Sequence, residues 1–301
     1  MKQIFRNKRG TAALGPVIMF AAAFNFAVLD ILVKLLGPSF RVWDIAFYRF
    51  ACSLLILTLI FAWRGNPFKG LNPKLMALNG LVSSLGFVAL ATSIRLINIS
   101  TAMALFYSFP AFAALFSTLL FREHIRKAEF LCVVAAMGGV MVLIEFRLGG
   151  NLFGQIMGLA AGITIGFSIS LVRKLREHEG AVALYLYYCL IGTVVVSPMF
   201  FSAPQVPGTS EEYLILAGII LSSIFAMLLM NTGLRYCKSW EGGLILTNEL
   251  VFTALFGIFM LHDPLSWRFL AGGFLILGSV VAFNFIGTRT PAQAPPTGAQ
   301  R

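Results

Sequence analysis

The chain has 301 residues, of which 58% are hydrophobic and only 12% are charged, and its mean hydropathy is +0.86. This composition lies far outside that of soluble globular domains, so it excludes a water-soluble protein and indicates a membrane protein. The formal net charge of +11 requires no nucleic-acid partner, because Lys and Arg accumulate in the cytoplasmic loops of membrane proteins and attract anionic lipid there.

Ten apolar segments follow one another along the chain, each long enough to cross about 30 Å of hydrocarbon as a helix. They cover residues 14–36, 45–63, 75–95, 99–120, 128–145, 152–172, 181–201, 212–234, 242–261 and 267–286. Residues 1–13 form a basic start, and the apolar run that follows is longer than the roughly 7–15-residue apolar core of a signal peptide, so we expect no signal peptide here. Residues 287–301 are rich in Pro, Ala and polar residues, which predicts a disordered tail. The short connections leave no soluble domain, so we expect the function to lie inside the helix bundle.

The first two predicted helices contain polar residues within their apolar runs. Asp30 lies roughly 9 Å from the outer end of the first helix. A carboxylate at that depth costs several kcal/mol unless it faces water or a partner, so Asp30 is a candidate for substrate or proton contact. The alternative is a structural ion pair with Arg49, and the two roles can coexist. Asn25 lies about 140° from Asp30 around the helix, and it either lines a cavity lower down or bonds to a neighbouring helix.

The fourth predicted helix contains Tyr107 and Ser108 directly before a proline. Pro110 removes the N–H group that would bond to the carbonyl of Phe106, so we expect a kink there. Tyr107 could offer a ring and a hydroxyl to a substrate, or it could simply pack against its neighbours. Both Tyr107 and Ser108 are therefore candidate residues of a substrate or proton pathway.

The sixth predicted helix carries small residues at every fourth position. These are Gly154, Gly158, Gly162, Gly166 and Ser170. Small residues at this spacing let two helix backbones approach closely, so they predict helix packing. The partner helix could belong to the same bundle or to a second copy of the chain, so a homodimer stays open.

The ninth predicted helix contains Asn248 and Glu249, about 10 Å from its cytoplasmic end. Two adjacent residues cannot share one face of a helix, so one of them is expected to face a cavity. Glu249 would either handle substrate or a proton, or pin neighbouring helices by a hydrogen bond.

The second half of the chain repeats the first. At a shift of 140 residues, Thr92 matches Thr232, Arg95 matches Arg235, Phe112 matches Phe252 and Gly138 matches Gly278. Chance likeness between apolar helices is the alternative, but a gapless match that includes two arginines argues against it. Residues 14–145 and 152–286 are thus predicted to be repeats of five helices. Because five is odd, the second repeat enters the membrane inverted, as in many secondary transporters.

The basic residues predict the orientation of the chain in the membrane. With the N-terminus inside, seventeen of the 23 Lys and Arg residues face the cytoplasm. The other six are Lys34, Arg41, Arg49, Arg95, Arg147 and Arg268. We therefore expect a multi-pass protein of the bacterial inner membrane with both termini in the cytoplasm.

Two stretches of the chain resemble a known family. SFPAFAALFSTLLFREHI, residues 108–125, and ELVFTALFGIFMLHDPLSWRFLAGGFLILGSVV, residues 249–281, are similar to the repeat endings of EamA-type transporters in the drug/metabolite transporter superfamily. Pro110 and Glu123 match that pattern, whereas Leu250 and Asp263 depart from it. The resemblance implies a ten-helix transporter that moves a small metabolite by alternating access. Residues 30–50 are also similar to the branch containing bacterial riboflavin and S-adenosylmethionine carriers.

No enzymatic chemistry is predicted. The four cysteines form no CxxC pair, the three histidines lie in separate loops, and no nucleotide-binding glycine motif occurs, so we expect neither metal nor cofactor. The expected substrate is an amino acid, vitamin, nucleoside-like or related solute. The alternative function is a lipid-carrier flippase subunit or another non-transporting membrane protein, in which a pair of buried acids would have no need to line a cavity.

Overall fold

The computed structural model describes residues 8–37, 39–63, 68–97, 99–121, 125–143, 151–261 and 267–288. In these ranges the chain is entirely α-helical apart from turns and short connections, which confirms the all-α class. The helices are α1 (Lys8–Leu36), α2 (Val42–Ala62), α3 (Pro73–Leu96), α4 (Ile99–Phe106), α5 (Phe109–Phe121), α6 (Lys127–Leu143), α7 (Leu152–Leu175), α8 (Ala181–Phe201), α9 (Ser210–Gly233), α10 (Ser239–Leu246), α11 (Asn248–Leu261) and α12 (Trp267–Thr288).

Eight helical stretches of the described chain are long and apolar enough to cross a membrane, so the protein is a multi-pass membrane protein. Two of them, Thr101–Leu120 and Ser239–Met260, each combine two helices across a break. The other two predicted spans fall on α6, which has 17 residues, and on α12, whose described apolar part is Leu270–Ala282. The total of ten spans therefore stays a prediction.

The ends of the chain differ slightly from expectation. Helix α1 already begins at Lys8, inside the predicted basic start, and α12 continues to Thr288, inside the predicted tail. Residues 289–301 lie outside the described residues, as do Glu123 and Asp263 of the family pattern.

Local sequence explains where several helices begin and end. Asn151 caps α7 by accepting a 2.8 Å hydrogen bond from the backbone N–H of Phe153. Thr209 and Glu212 form a reciprocal capping box at the start of α9. Gly37 follows α1 with a φ of +84°, a left-handed conformation that glycine adopts without the strain of a Cβ atom.

Two helix breaks lie in the middle of the bundle. Helix α4 ends at Phe106 and α5 begins at Phe109, so Tyr107 and Ser108 form a turn between them. Pro110 lies in the first turn of α5, where backbone N–H groups have no acceptor within the helix, so the N–H that proline lacks costs no helical hydrogen bond. The second break separates α10 from α11 at Thr247, whose hydroxyl donates a 2.7 Å hydrogen bond to the carbonyl of Leu244.

The two breaks are covered by α1 and α7. Helix α7 packs against α3, α4 and α5, while α1 packs against α9, α10 and α11. Helix α2 packs against α8, and α6 packs against α12. In the interior of the bundle, α7 therefore lies against the broken pair α4 and α5, and α1 lies against the broken pair α10 and α11.

The small residues of α7, here called the glycine stripe, lie against helices of the same chain. A Cβ atom added at Gly158 would come within 2.8 Å of Ser93 Oγ, and one at Gly154 within 2.8 Å of Leu96 Cβ. Further along, Gly162 faces the first break, Gly166 faces α5, and the Ser170 hydroxyl donates a 3.1 Å hydrogen bond to the carbonyl of Ala113. The stripe thus brings α7 into close contact with α3, α4 and α5.

A polar cavity between two broken helices

A cavity of about 250 Å³ lies in the interior of the bundle, walled by all the helices except α6 and α12. Its volume is slightly below the roughly 300–1,000 Å³ of typical small-molecule sites. Four predicted pathway residues line it together: Asp30, Arg49, Tyr107 and Glu249. The fold therefore assembles in one place four polar side chains that are distant in sequence.

Two carboxyl groups meet where α1 lies against α11. The carboxylate of Asp30 accepts a 2.9 Å hydrogen bond from the hydroxyl of Thr253. It is also close enough to the carboxyl of Glu249 for a hydrogen bond between the two acids. Two adjacent carboxylates repel each other, so such a pair is stable only when a proton or another cation accompanies it.

Arg49 brings a positive charge to the cavity. Its Nη2 atom donates a 3.3 Å hydrogen bond to the hydroxyl of Tyr188, and its guanidinium lies 5.1 Å from the centre of the Phe50 ring. Its Nε atom is buried and makes no hydrogen bond. Arg49 and Asp30 interact electrostatically but form no ion pair within 4.0 Å, so the alternative of a static pair is not realised in this conformation. The guanidinium keeps donor capacity for a bound anion.

The Tyr107 hydroxyl is placed at the first break, beside the carboxyl of Glu249. The side chain is only 1% exposed, and its hydroxyl makes no hydrogen bond of acceptable geometry. A buried hydroxyl without a partner costs about 1–3 kcal/mol, so a water molecule or a solute oxygen in the cavity would stabilise it.

The other three predicted pathway residues do not line the cavity. Each donates a hydrogen bond to its own preceding helical turn instead. Asn25 Nδ2 bonds to the carbonyl of Ala21 at 2.9 Å, Ser108 Oγ bonds to that of Leu105 at 2.5 Å, and Asn248 Nδ2 bonds to that of Ile245 at 2.7 Å. Of the adjacent pair in α11, Glu249 is therefore the residue that faces the cavity.

A second polar group in the cavity wall was missed by the sequence analysis. The hydroxyl of Ser168 donates a 2.9 Å hydrogen bond to Asn79 Oδ1, and the hydroxyls of Ser83 and Ser168 are 2.7 Å apart. Because the Ser168 proton goes to Asn79, Ser83 is the donor to Ser168. We call these three residues the amide–serine cluster. The sequence feature that could have revealed this cluster is the spacing of Asn79 and Ser83, which lie four residues apart on one face of an apolar helix.

The cavity thus presents three chemically different regions. It offers a guanidinium, a pair of carboxyls and a neutral hydrogen-bonding cluster, within an apolar wall that includes Phe26, Phe87 and Met230. In the described part of the chain, no three His, Cys, Asp or Glu side chains gather as metal ligands do. The arrangement suits a small solute that carries both positive and negative groups.

Comparison with known proteins links this chain to transporters. The model of the EamA-like transporter family matches residues 13–145 and again residues 152–285. The chain is similar to the "Pseudopaline exporter CntI" of Pseudomonas aeruginosa (strain UCBPP-PA14), with 23% identity over 90% of this chain and 95% of that protein. It is also similar to the "S-adenosylmethionine uptake transporter" of Rickettsia felis, with 23% identity over 66% of this chain and 65% of that protein.

A solved crystal structure has the same fold. It superposes with a TM-score of 0.80 at 16% sequence identity, covering 91% of this chain and 98% of the other. At this identity the match concerns the arrangement of the helices alone.

Proposed function

The chain belongs to the EamA-like transporter family, and from this premise we propose that it is a secondary transporter that moves a small metabolite across the membrane by alternating access. The observation that carries the proposal is the cavity itself. Asp30, Arg49, Tyr107 and Glu249 line one space in the middle of an apolar bundle, where isolated charges are costly and are usually functional.

We further propose that residues 14–145 and 152–286 are inverted repeats within a ten-span protein. The breaks support this, because the shift of 140 residues carries α4, Ile99–Phe106, onto α10, Ser239–Leu246, without a gap. The packing supports it as well, because α7 contacts α3, α4 and α5 in the same way that α1 contacts α9, α10 and α11. The charge distribution of the loops supports a cytoplasmic location of both termini in a bacterial inner membrane.

The substrate that the cavity fits best is a small zwitterionic solute, such as an amino acid or a related metabolite. Its anionic group would bind Arg49, whose Nε atom lacks a partner, and its cationic group would bind the carboxyls of Asp30 and Glu249. In the absence of that cation, a proton shared by the two carboxyls would keep them from repelling each other. Proton coupling is therefore part of the proposal.

The lipid-carrier alternative has weaker support, because the charged side chains line an interior cavity and the pair of acids has no role in a lipid groove. The glycine stripe offers no surface to a second copy, because helices of the same chain occupy it. A homodimer would therefore require a different face of the bundle.

The test is uptake and efflux of a metabolite panel in membrane vesicles across a range of pH, with Asp30→Asn and Glu249→Gln as variants. Loss of transport or a flattened pH profile is expected for at least one of them. Glu177→Gln is a suitable control, because Glu177 is 38% exposed and bonds to Lys174 outside the cavity. Normal transport and normal pH dependence in both cavity variants would contradict the assigned role of the acids.

A further inference from the structure

The turn between α7 and α8, residues 176–180, contains two buried charges of opposite sign. Arg176 and Glu179 are only 6% and 4% exposed, respectively. The guanidinium of Arg176 donates a hydrogen bond to the backbone carbonyl of Glu179, and not to its carboxylate. A buried charge is stable only when polar groups surround it. The remaining polar contacts of Arg176 and Glu179 therefore identify the helices that this turn connects.

The carboxylate of Glu179 binds the start of α3. It accepts a 2.7 Å hydrogen bond from the backbone N–H of Asn72 and a 3.2 Å hydrogen bond from that of Leu71. The free N–H groups and the dipole at the beginning of a helix favour an anion there. A Cβ atom added at Gly70 would lie 2.7 Å from Glu179 Oε2, so a glycine at this position allows the carboxylate to approach.

The guanidinium of Arg176 binds the end of α9. Its Nε atom donates a 2.8 Å hydrogen bond to the carbonyl of Asn231, in the last turn of that helix. The free carbonyls at the end of a helix favour a cation. Burial lowers the pKa of Arg176, and the nearby Arg235 lowers it further, but an arginine stays protonated at neutral pH. Asn231 also lines the cavity, so this contact lies directly at the cavity wall.

We propose that this turn, which we call the 176–180 strap, is the gate that closes the cytoplasmic end of the cavity. It ties α3 to α9, one helix from each half of the chain, beside cavity-lining residues of α7, α8 and α9. The proposal rests on the proposed transport function, because a gate has a purpose only if the cavity must open. Release of Glu179 from the start of α3 would remove one of the ties between the two halves at this end.

A second set of polar contacts joins the helices at the opposite end of the bundle. The guanidinium of Arg41, before α2, is fixed by Asp44 at 2.9 Å and donates to the carbonyl of Ala203 beyond α8. The hydroxyl of Tyr48 donates a 2.9 Å hydrogen bond to the carbonyl of Gln205. Both ends are therefore held at once in this structure, whereas alternating access requires each to release in turn.

The test measures access to the cavity and needs no known solute. Met230→Cys places a thiol in the cavity wall, in a full-length chain whose other cysteines, Cys52, Cys132, Cys189 and Cys237, are replaced by alanine. Labelling by a membrane-impermeant maleimide is then timed in inside-out and right-side-out vesicles. Glu179→Ala should accelerate labelling from the cytoplasmic face by about tenfold or more, which corresponds to the loss of about 1.4 kcal/mol of closure energy. Labelling from the outer face should not increase.

The matched control is Glu177→Ala, which removes an exposed carboxylate from the same turn and should leave labelling unchanged. Glu179→Gln keeps one oxygen acceptor without the charge, so it should give a smaller increase, and it decides the question if the alanine variant does not fold. No increase, an equal increase from both faces, an increase confined to the outer face, or the same increase in Glu177→Ala would overturn the gate. Because labelling is independent of transport, the gate and the transport function can fail separately.

Discussion

Gly162 in the middle of the glycine stripe is the position where one added methyl group should have the clearest effect. A Cβ atom there would lie 2.5 Å from Ser108 Oγ, 2.9 Å from the carbonyl oxygen of Leu105 and 3.1 Å from that of Phe106. Two of these three atoms belong to the backbone at the first helix break. Backbone atoms cannot rotate away as the end of a flexible side chain can, so α7 must move away from the break.

Such overpacking costs about 1–3 kcal/mol, so we expect Gly162→Ala to destabilise the protein by an amount in this range. Gly162→Leu should be more severe and should impair folding or assembly. Part of the loss is offset because alanine has a higher helix propensity than glycine by about 0.8–1.0 kcal/mol. The net destabilisation of the alanine variant is therefore about 0–2 kcal/mol.

The measurement is thermal unfolding in detergent, with Gly138→Ala as the matched control. Gly138 also lies within a helix, but a Cβ atom there would meet nothing within 4 Å, so this variant shows the gain in helix propensity alone. The difference between the two variants isolates the contact at the break. If Gly162→Ala is as stable as Gly138→Ala, the inference that α7 packs closely against the first break is wrong.

Three further variants test other parts of the structure. Tyr107→Phe removes a buried hydroxyl that lies beside Glu249 but makes no hydrogen bond of acceptable geometry, so stability should change little, while KM for a transported solute should rise if the hydroxyl binds it. Ser168→Ala leaves Asn79 Oδ1 without its donor, which should lower the free energy of unfolding by about 1–3 kcal/mol in a denaturation assay. Reporter fusions at Gly208 and at the C-terminus should report opposite compartments, and the same compartment for both would refute the predicted topology.

Local sequence predicted the helices and the charged candidates, because an apolar run and an acid within it are both visible in a single segment. Asp30 and Glu249 were recognised one at a time by the cost of a charge in an apolar helix. Their contact with each other was not visible, because it depends on the packing of α1 against α11 across the length of the chain. Thr253, which donates to Asp30, is an ordinary residue in its own segment and becomes significant only through that packing.

The two helix breaks differ in how well the sequence announces them. Pro110 signals the first one, since proline cannot continue the hydrogen-bond ladder of a helix. The second break has Leu250 at the corresponding place, and at this break the side chains of Thr247 and Asn248 donate hydrogen bonds to carbonyls of the preceding turn. Such bonds compete with the helix only in a particular tertiary setting, so sequence alone gives no reason to place a break there.

The glycine stripe determines how part of the cavity wall is positioned. Gly162 meets the carbonyls of Leu105 and Phe106 and the hydroxyl of Ser108, the residues that immediately flank Tyr107. The close approach of α7 therefore fixes the turn that places the Tyr107 hydroxyl beside Glu249. Ile165 and Ile169 of the same helix also line the cavity, so a shift of α7 would change both its wall and its polar group. A residue that does not line the cavity can thus control its geometry, because the helix it positions carries part of the cavity wall.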